Sequence, residues 1–175
     1  MVAGFSTERL VAAPLDESHL AELCVMHDDP DVMIYLGGVR DAETTRQYIA
    51  DSVDHWAQYG FGTWGLRVKD GTFAGRCALR HIEIDGVDEV EIGYSLTKDF
   101  WGQGLATEVA TKLVKIAFDE CGLTDIIAFA VAEHAASRRV MEKVGFHFEC
   151  EKEIQGAYCA LYRLSFETDL RSSSG

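Results

Sequence analysis

A glycine-containing loop, residues 101–107 with the sequence WGQGLAT, gives the first chemical signal in the chain. It lies between a predicted strand that ends at Leu96 and a strongly patterned helix that begins at Leu105. Gly102 and Gly104 permit backbone conformations that other residues avoid, and they let a ligand approach the backbone closely. Because the first turn of a helix offers free N–H groups and a partial positive charge, the loop predicts a site for phosphate or diphosphate. The loop has neither the third glycine of a dinucleotide fingerprint nor the Gly-Lys-Ser/Thr of a Walker loop, and a tight turn without a ligand explains its glycines about equally well.

The second signal is residues 134–146, HAASRRVMEKVGF, where a short helix follows a buried strand and ends at Gly145. Arg138, Arg139 and Lys143 put three cations on or beside this helix in a chain that is otherwise acidic. A solvent-facing surface paired with Glu142 is the alternative interpretation of these charges.

At this spacing the two segments resemble the GCN5-related N-acetyltransferase (GNAT) superfamily, above all its RimJ/RimL-type branch, whose members include ribosomal-protein N-terminal acetyltransferases. The segments that carry the resemblance are residues 7–10 (TERL), 91–96 (EIGYSL), 100–108 (FWGQGLATE), 137–146 (SRRVMEKVGF) and 158–164 (YCALYRL). The resemblance covers about residues 7–165. It implies an α/β (α+β) fold in which about four helices flank a mixed, mostly antiparallel central sheet of about seven strands.

The resemblance implies transfer of an acetyl group from acetyl-CoA, the cosubstrate, to an amine. It places the pyrophosphate on the loop and the helix that follows, the pantetheine arm along the strand that ends at Leu96, and the thioester near residues 134–137. The implied cofactor-binding residues are Tyr94, Ser95, Leu96, Trp101, Gly102, Gln103, Gly104, Leu105, Ala106, Thr107, His134, Ser137 and Arg138. The chain departs from the family pattern at Trp101, at His134 in place of a frequent Asn, and at Met141 in place of a Tyr that commonly protonates the leaving thiolate.

Direct attack of the amine on the thioester requires a base, and Glu91 is the first choice because it lies on the strand expected to flank the thioester. Strand alternation puts Glu91 on one face together with Glu89. A solvent-facing carboxylate is an equally good interpretation of Glu91, and Glu89, Glu83 and Asp88 are weaker candidates.

For the acid, Ser137 leads, in line with the resemblance, while a helix-cap hydroxyl is its structural alternative. His134 and Tyr162 are further possibilities. A backbone N–H near residues 92–94 would stabilise the oxyanion if the strand bulges there.

The periodicity predicts the elements that must position these residues. Asp70-Gly71 and Asp85-Gly86 predict hairpin turns. Strands are predicted at residues 8–13, 63–69, 72–84, 89–96, 126–131, 146–152 and 157–165. Helices are predicted at residues 16–27, 28–36, 44–59, 105–118 and 135–144. No linker interrupts the chain, so we expect one acetyltransferase domain over residues 1–170 and a frayed tail at 171–175.

The composition excludes several classes of partner. The 175 residues carry a formal net charge of −13, so nucleic acid and anionic membranes are poor partners. The five cysteines contain no CxxC pair and fit neither a zinc site nor a disulfide framework, and no metal is expected. No apolar stretch is long enough to span a membrane and no signal peptide is visible, so the cytoplasm is the expected location.

The acceptor remains open at this point. The first half of the chain, residues 1–97, has 7 basic and 17 acidic residues, which favours a cationic amine. A peptide N-terminal α-amine is the main interpretation. A small amine such as a polyamine, amino sugar, amino acid or aminoglycoside-like drug is the nearest alternative, and a non-catalytic acetyl-CoA-binding module is the alternative of another class. A monomer and a homodimer are equally compatible with the sequence.

Two segments are candidates for the acceptor cleft, residues 33–38 and 58–63, with the core as the better interpretation for most of their aromatic neighbours. The aromatic residues concerned are Trp56, Tyr59, Phe61 and Trp64. Nearby acidic residues that would attract an amine are Asp28, Asp29, Asp31 and Asp54.

Overall fold

The computed structural model describes residues 2–166, which form an eight-stranded sheet with helices on both faces. The strands are β1 (Phe5–Ser6), β2 (Leu10–Pro14), β3 (Thr63–Val68), β4 (Phe73–Ile84), β5 (Val87–Leu96), β6 (Asp125–Val131), β7 (His147–Ile154) and β8 (Ala157–Ser165). The helices are α1 (Leu20–His27), α2 (Pro30–Met33), α3 (Ala42–Tyr59), α4 (Leu105–Lys115) and α5 (Ala135–Val144). The predicted fold class is confirmed, with β1 as the additional strand.

The strand order is β1-β2-β3-β4-β5-β6-β8-β7, and every neighbouring pair is antiparallel except β5 with β6. The β4–β5 hairpin turns at Asp85 and Gly86, whose φ angles are +52° and +78°. Two successive positive φ angles are typical of the turn that matches strand twist, which explains the Asp-Gly signal.

The two faces of the sheet carry different helices. Val109 and Leu113 of α4 belong to the same buried cluster as Leu79 of β4 and Ile92 of β5. Helices α1, α2 and α3 form a second buried cluster with one another and with Phe73. Because side chains alternate along a strand, residues of β4 and β5 with the opposite parity point away from α4.

The sheet opens between β5 and β6. These strands share a single register pair, Glu91 with Ile127, and then separate. The bulge considered at residues 92–94 is absent, because the β4–β5 register is continuous from Gly75–Leu96 to Ile84–Val87. The backbone hydrogen bonds of successive residues in a strand point to opposite sides. Thr97 N–H donates to the Ala74 carbonyl on β4, so residues an odd number of positions away from Thr97 point to the other side. Tyr94 therefore directs its N–H and C=O toward the opening.

The observed ends of the elements follow local signals. Helix α3 begins after Asp41, whose side chain accepts a hydrogen bond from Thr44 N–H, and ends at Gly60 with a φ of +75°. The predicted helix at residues 105–118 is α4 followed by a π-helical turn, Ile116–Glu120. No helix within residues 2–166 is long and apolar enough to cross a membrane. The predicted tail at 171–175 and the predicted domain end at 170 lie outside the described residues.

Candidate active site

A cavity of about 950 Å³ lies where β5 and β6 separate, between the start of α4 and the start of α5. It brings together all but two of the predicted site residues. Those that line it are Glu91, Tyr94, Ser95, Leu96, Trp101, Gly102, Gly104, Leu105, Ala106, Thr107, His134 and Ser137. Gln103 and Arg138 are the two that do not.

The N-terminal end of α4 faces this cavity without a side-chain cap. Gly104 is the N-cap residue with a φ of +79°, and its carbonyl accepts the first helical bond from Glu108 N–H, 3.1 Å away. The N–H groups of Leu105, Ala106 and Thr107 precede that bond and have no acceptor within the helix. Their direction and the helix dipole make this end of α4 suited to an anion.

The loop before α4 is held in place by the hydrogen bonds of three side chains. Arg9 donates to the Gln103 carbonyl at 2.7 Å, and the Gln103 amide donates to the Asp99 carbonyl at 2.9 Å. Trp101 Nε1 donates to the Leu96 carbonyl at 2.8 Å. The sequence did not indicate this role of Arg9, because the contact joins segments more than ninety residues apart.

Ser137 and Tyr94 form a pair of hydroxyl groups at the cavity. The Tyr94 hydroxyl donates to the Ser137 carbonyl at 3.0 Å and lies 3.2 Å from Ser137 Oγ. Burial raises the pKa of Tyr94 to about 12, so this phenol holds its proton at neutral pH. The considered role of Ser137 as a helix cap is not observed, since α5 has His134 at its N-cap and no side-chain cap bond.

His134 packs against Tyr35 at the cavity wall. The two rings stack with centroids 4.4 Å apart and an interplanar angle of 19°. Burial lowers the pKa of His134 below its usual value, which favours the neutral imidazole at pH 7. Stacking on a neighbouring ring gives this histidine a packing role in addition to its position at the cavity.

Arg138 and Tyr162 are engaged with each other instead of with the cavity. The Arg138 guanidinium donates to the Tyr162 hydroxyl at 3.1 Å and to the Ala132 carbonyl at 3.0 Å. The Tyr162 hydroxyl in turn donates to Glu142 at 2.9 Å. These contacts stabilise the packing of α5 on β8. Tyr162 does not line the cavity, so its placement does not support it as the acid.

Glu91 is buried and reaches the cavity from β5. Its side chain is 5% exposed, and its Oε1 accepts a hydrogen bond from Arg80 Nε at 2.5 Å. The interpretation as a solvent-facing carboxylate is therefore wrong. Of the four carboxylates considered as a base, Glu91 alone lines the cavity, whereas Glu89 pairs with Arg163 and Asp88 with His81.

Three arginines, Arg40, Arg76 and Arg80, also line the cavity, and we call them the basic wall. The acidic first half of the chain had indicated a cleft that attracts cations, whereas the cavity combines these three arginines with the carboxylates of Asp31, Glu91 and Glu133. Of the four aspartates proposed to attract an amine, only Asp31 lines it, and Asp31 pairs with Lys98 at 2.5 Å. Side-chain alternation along β4 could have indicated this cluster in the sequence, because it places Arg76 and Arg80 on the same face of the sheet as Glu91.

Only one of the two segments predicted for the acceptor cleft lies at the cavity. Residues 34–37 line the cavity, but residues 58–63 do not. Trp64 is fully buried, and its ring packs edge-on against Trp56 at a centroid distance of 5.0 Å. The core interpretation is therefore supported for Trp56, Phe61 and Trp64, whereas Tyr59 is exposed.

A family model described as an acetyltransferase (GNAT) domain matches residues 9–147. The chain belongs to the GNAT family. It is therefore an N-acetyltransferase, and acetyl-CoA is its acetyl donor. The resemblance inferred from the two sequence segments is confirmed.

Two relatives of this GNAT enzyme are each 31% identical to it. The uncharacterized protein YkkB of Bacillus subtilis aligns over 144 residues, 81% of this chain and 84% of YkkB. The FsC-acetyl coenzyme A-N(2)-transacetylase of Aspergillus fumigatus aligns over 153 residues, 79% of this chain and 63% of the fungal protein. The chain thus spans less than two thirds of the fungal enzyme.

Among solved structures, the GNAT fold of this chain is similar to that of RimL, a ribosomal L7/L12 alpha-N-protein acetyltransferase in complex with coenzyme A. The TM-score is 0.76 at 19% identity, and the match covers 93% of this chain and 97% of RimL. At this identity the likeness shows the fold alone, which agrees with the predicted RimJ/RimL-like architecture.

His27 lies behind the basic wall and carries a pH-dependent contribution to stability. It is fully buried, Thr45 Oγ1 lies 3.0 Å from its Nδ1, and its Nε2 accepts from Arg76 Nε at 3.3 Å. Burial, then the charges of Arg76 and Arg40, lower its pKa from 6.5 to about 3.

We expect the free energy of unfolding to fall by about 1 to 2 kcal/mol through His27 between pH 6.5 and pH 5. The unfolded chain protonates His27 below pH 6.5, whereas the folded chain does so only near pH 3. This contribution is therefore complete above pH 6.5 and is lost as the pH falls. Urea unfolding at both pH values should show the stability advantage of the wild type over His27→Gln shrinking at pH 5. An advantage equal at both pH values would contradict the assignment, and exposed His147→Gln is the control.

Proposed function

We propose that the enzyme transfers the acetyl group of acetyl-CoA directly to a primary amine, and that the acceptor is the N-terminal α-amine of a peptide or protein. The observation that carries the proposal is one cavity that joins the uncapped start of α4 to the buried carboxylate of Glu91 across the β5–β6 opening. The start of α4 can bind an anion at one end of the cavity, and Glu91 can accept a proton at the other end.

The donor is held, in this proposal, mainly by backbone groups. Coenzyme A supplies a diphosphate, an extended arm and a thioester. The free N–H groups of Leu105, Ala106 and Thr107 suit the diphosphate. The open edge of β5 at Tyr94–Leu96 suits the arm, and it lies beside His134 and Ser137. Arg138 and the Gln103 side chain are tied elsewhere, so their predicted contacts with the donor stay predictions.

Glu91 is the proposed base. Its Oε1 is held by Arg80, which fixes the carboxylate at the cavity, and its second oxygen is available to accept a proton from the amine or through a water. A cysteine nucleophile is not supported. Cys159 lines the cavity, but burial raises the pKa of its thiol and keeps it protonated.

The Tyr94–Ser137 pair is the proposed source of a proton or hydrogen bond for the leaving thiolate. We expect Ser137→Ala and Tyr94→Phe each to lower kcat about tenfold, because each removes one member of a linked pair. The double variant should lose less than the product of the two effects. Steady-state kinetics at saturating acetyl-CoA measure this, with the exposed Tyr158→Phe as the control. Fully multiplicative losses would show that the two hydroxyls act separately.

Three pools of acceptors test the proposed function: peptides with varied N-termini, polyamines, and amino sugars with aminoglycosides. Release of the CoA thiol with peptides alone supports the peptide N-terminus. Transfer to small amines alone would replace that acceptor class. Tight acetyl-CoA binding without transfer to any acceptor would favour the non-catalytic module.

The cytoplasm is the compartment we propose. All five cysteines are free, and Cys77 and Cys159 are buried, which suits a reducing environment. Reaction of the denatured, unreduced protein with a thiol reagent should reveal five thiols when it is isolated from its own cells.

A further inference from the structure

The basic wall leaves two arginines without an acidic partner. Within residues 2–166, neither Arg40 nor Arg76 forms a salt bridge, whereas Arg67, Arg80 and Arg163 each bind a carboxylate. The Arg40 guanidinium has one hydrogen bond, to the Leu36 carbonyl at 3.3 Å. Since a guanidinium has five N–H donors, most of the donors of Arg40 remain available.

Arg76 also has N–H donors left over for a ligand, and His27 orients its guanidinium. Its Nε donates to His27 Nε2, which is the one hydrogen bond of its side chain among the described residues. The lowered pKa of His27 keeps that ring neutral, so it accepts from Arg76 without balancing its charge. Glu91 is already bound to Arg80, and no other described carboxylate neutralises Arg40 or Arg76.

Tyr48 adds an unpaired donor at the same place. The Tyr48 ring lies under both guanidinium groups, with Arg76 Cζ 4.8 Å and Arg40 Cζ 5.3 Å from its centroid. Its hydroxyl is buried and has no hydrogen-bond partner in the described part of the chain. Tyr48 also lines the cavity. Buried hydroxyls are normally satisfied, so this arrangement is suited to an oxyanion that accepts from Tyr48 and the two arginines.

The wall belongs to the acceptor side and not to the diphosphate side. Arg80 is paired across the β4–β5 ladder with Glu91, and Arg76 with Ser95, so these side chains share one face. Helix α4 packs against the opposite face, through residues such as Leu79. An anion at the wall therefore lies beside the proposed base and across the sheet from the start of α4.

We propose that the acceptor carries a carboxylate close to its primary amine, and that Arg40, Arg76 and the Tyr48 hydroxyl bind this carboxylate so that the amine lies at Glu91. This inference rests on the proposed function and narrows its substrate. An acidic side chain near a peptide N-terminus and the α-carboxylate of a free amino acid supply the same chemistry. Polyamines and aminoglycosides are disfavoured, because their additional cations would approach two uncompensated arginines.

Matched acceptors test the carboxylate directly. Peptides that begin with Asp or Glu are compared with the same peptides that begin with Asn or Gln, and free amino acids are compared with their amides. We expect the carboxylate member of at least one series to have a kcat/KM about 10- to 100-fold higher. The series that shows the preference identifies the source. Equal rates within both series, or a preference for the amides, would overturn the proposal.

Variants assign the preference to the wall. Arg40→Gln should remove most of it by raising the KM of the carboxylate acceptor, with little change for the amide. Tyr48→Phe should raise that KM about three- to tenfold without lowering the melting temperature, because the hydroxyl it removes has no partner in the fold. The control is Arg46→Gln, the same change on an exposed arginine of α3 outside the cavity. Unchanged preference in both Arg40→Gln and Tyr48→Phe would overturn the proposal.

Calorimetry separates this inference from the proposed function. Acetyl-CoA should bind Arg40→Gln and the wild type equally, and weaker acetyl-CoA binding would assign the wall to the donor and overturn the inference. Acceptor peptides are also titrated into enzyme saturated with CoA. Preferential binding of the acidic peptide without turnover would retain the carboxylate site and refute only the catalytic proposal. Equal binding of acidic and amide peptides would refute the carboxylate site whether or not transfer occurs.

Discussion

Glu91→Gln lowers kcat on the order of 100-fold or more at neutral pH, if Glu91 removes the proton of the attacking amine. Glutamine has nearly the same shape, and its carbonyl oxygen can still accept the hydrogen bond from Arg80, but it cannot take up a proton. We therefore expect the KM for acetyl-CoA to stay within about twofold, because the donor site at α4 is unchanged. A thiol-release assay under saturating donor measures both constants.

Glu89→Gln is the matched control for this experiment. Glu89 lies two residues earlier on β5 and pairs with Arg163 at 2.8 Å, so the substitution disturbs a comparable ion pair on the same strand. Glu89 does not line the cavity. Equal losses of kcat in both variants would show that Glu91 acts through the stability of the sheet. Full activity of Glu91→Gln would exclude it as the base.

Thr107→Glu weakens acetyl-CoA binding on the order of 100-fold while leaving the fold intact. Thr107 is the third residue of α4 and lines the cavity, so a carboxylate there lies within a few ångströms of a diphosphate bound at the helix start. Like charges at about 5 Å repel by roughly 3 kcal/mol at an effective dielectric constant of about 20. An acidic residue in the first turn of a helix interacts favourably with the helix dipole, so the protein without ligand should not lose stability.

Thr44→Glu makes the same change at the same position of another helix. Thr44 is the exposed third residue of α3, outside the cavity. Both variants should melt at or slightly above the wild-type temperature, and only Thr107→Glu should lose affinity in calorimetry with acetyl-CoA. Wild-type affinity in Thr107→Glu would contradict the placement of the diphosphate at α4.

Local signals explain why much of the fold was predictable. The start of α4 was predicted at Leu105 because glycine and an apolar helical period meet there, and the end of α5 was predicted at Gly145 for the same kind of reason. Both depend on residues close together in the chain. β1 was missed, because the two residues Phe5–Ser6 are too short for any period and become a strand only by pairing with β2.

The candidate site was predictable to a smaller extent. The loop at residues 101–107 and the strand end at 94–96 were predicted, and all of their residues except Gln103 line one cavity. The basic wall was not, because Arg40 precedes α3 and meets Arg76 and Arg80 of β4 only in the fold, and the overall acidity of the first half of the chain gave no sign of clustered arginines. Charge counts describe the whole surface, whereas a cavity samples only the side chains that the fold turns inward.

The sequence by itself determined the family and the antiparallel order of the hairpins, and it predicted an anion site at the start of α4, because each of these depends on neighbours in the chain or on a motif at fixed spacing. Only the tertiary structure decided that Glu91 is buried on Arg80, that Ser137 meets the Tyr94 hydroxyl, and that two arginines remain unpaired at the cavity. These are contacts between distant segments. Their geometry is set by how the helices pack on the two faces of the sheet and by where β5 and β6 separate.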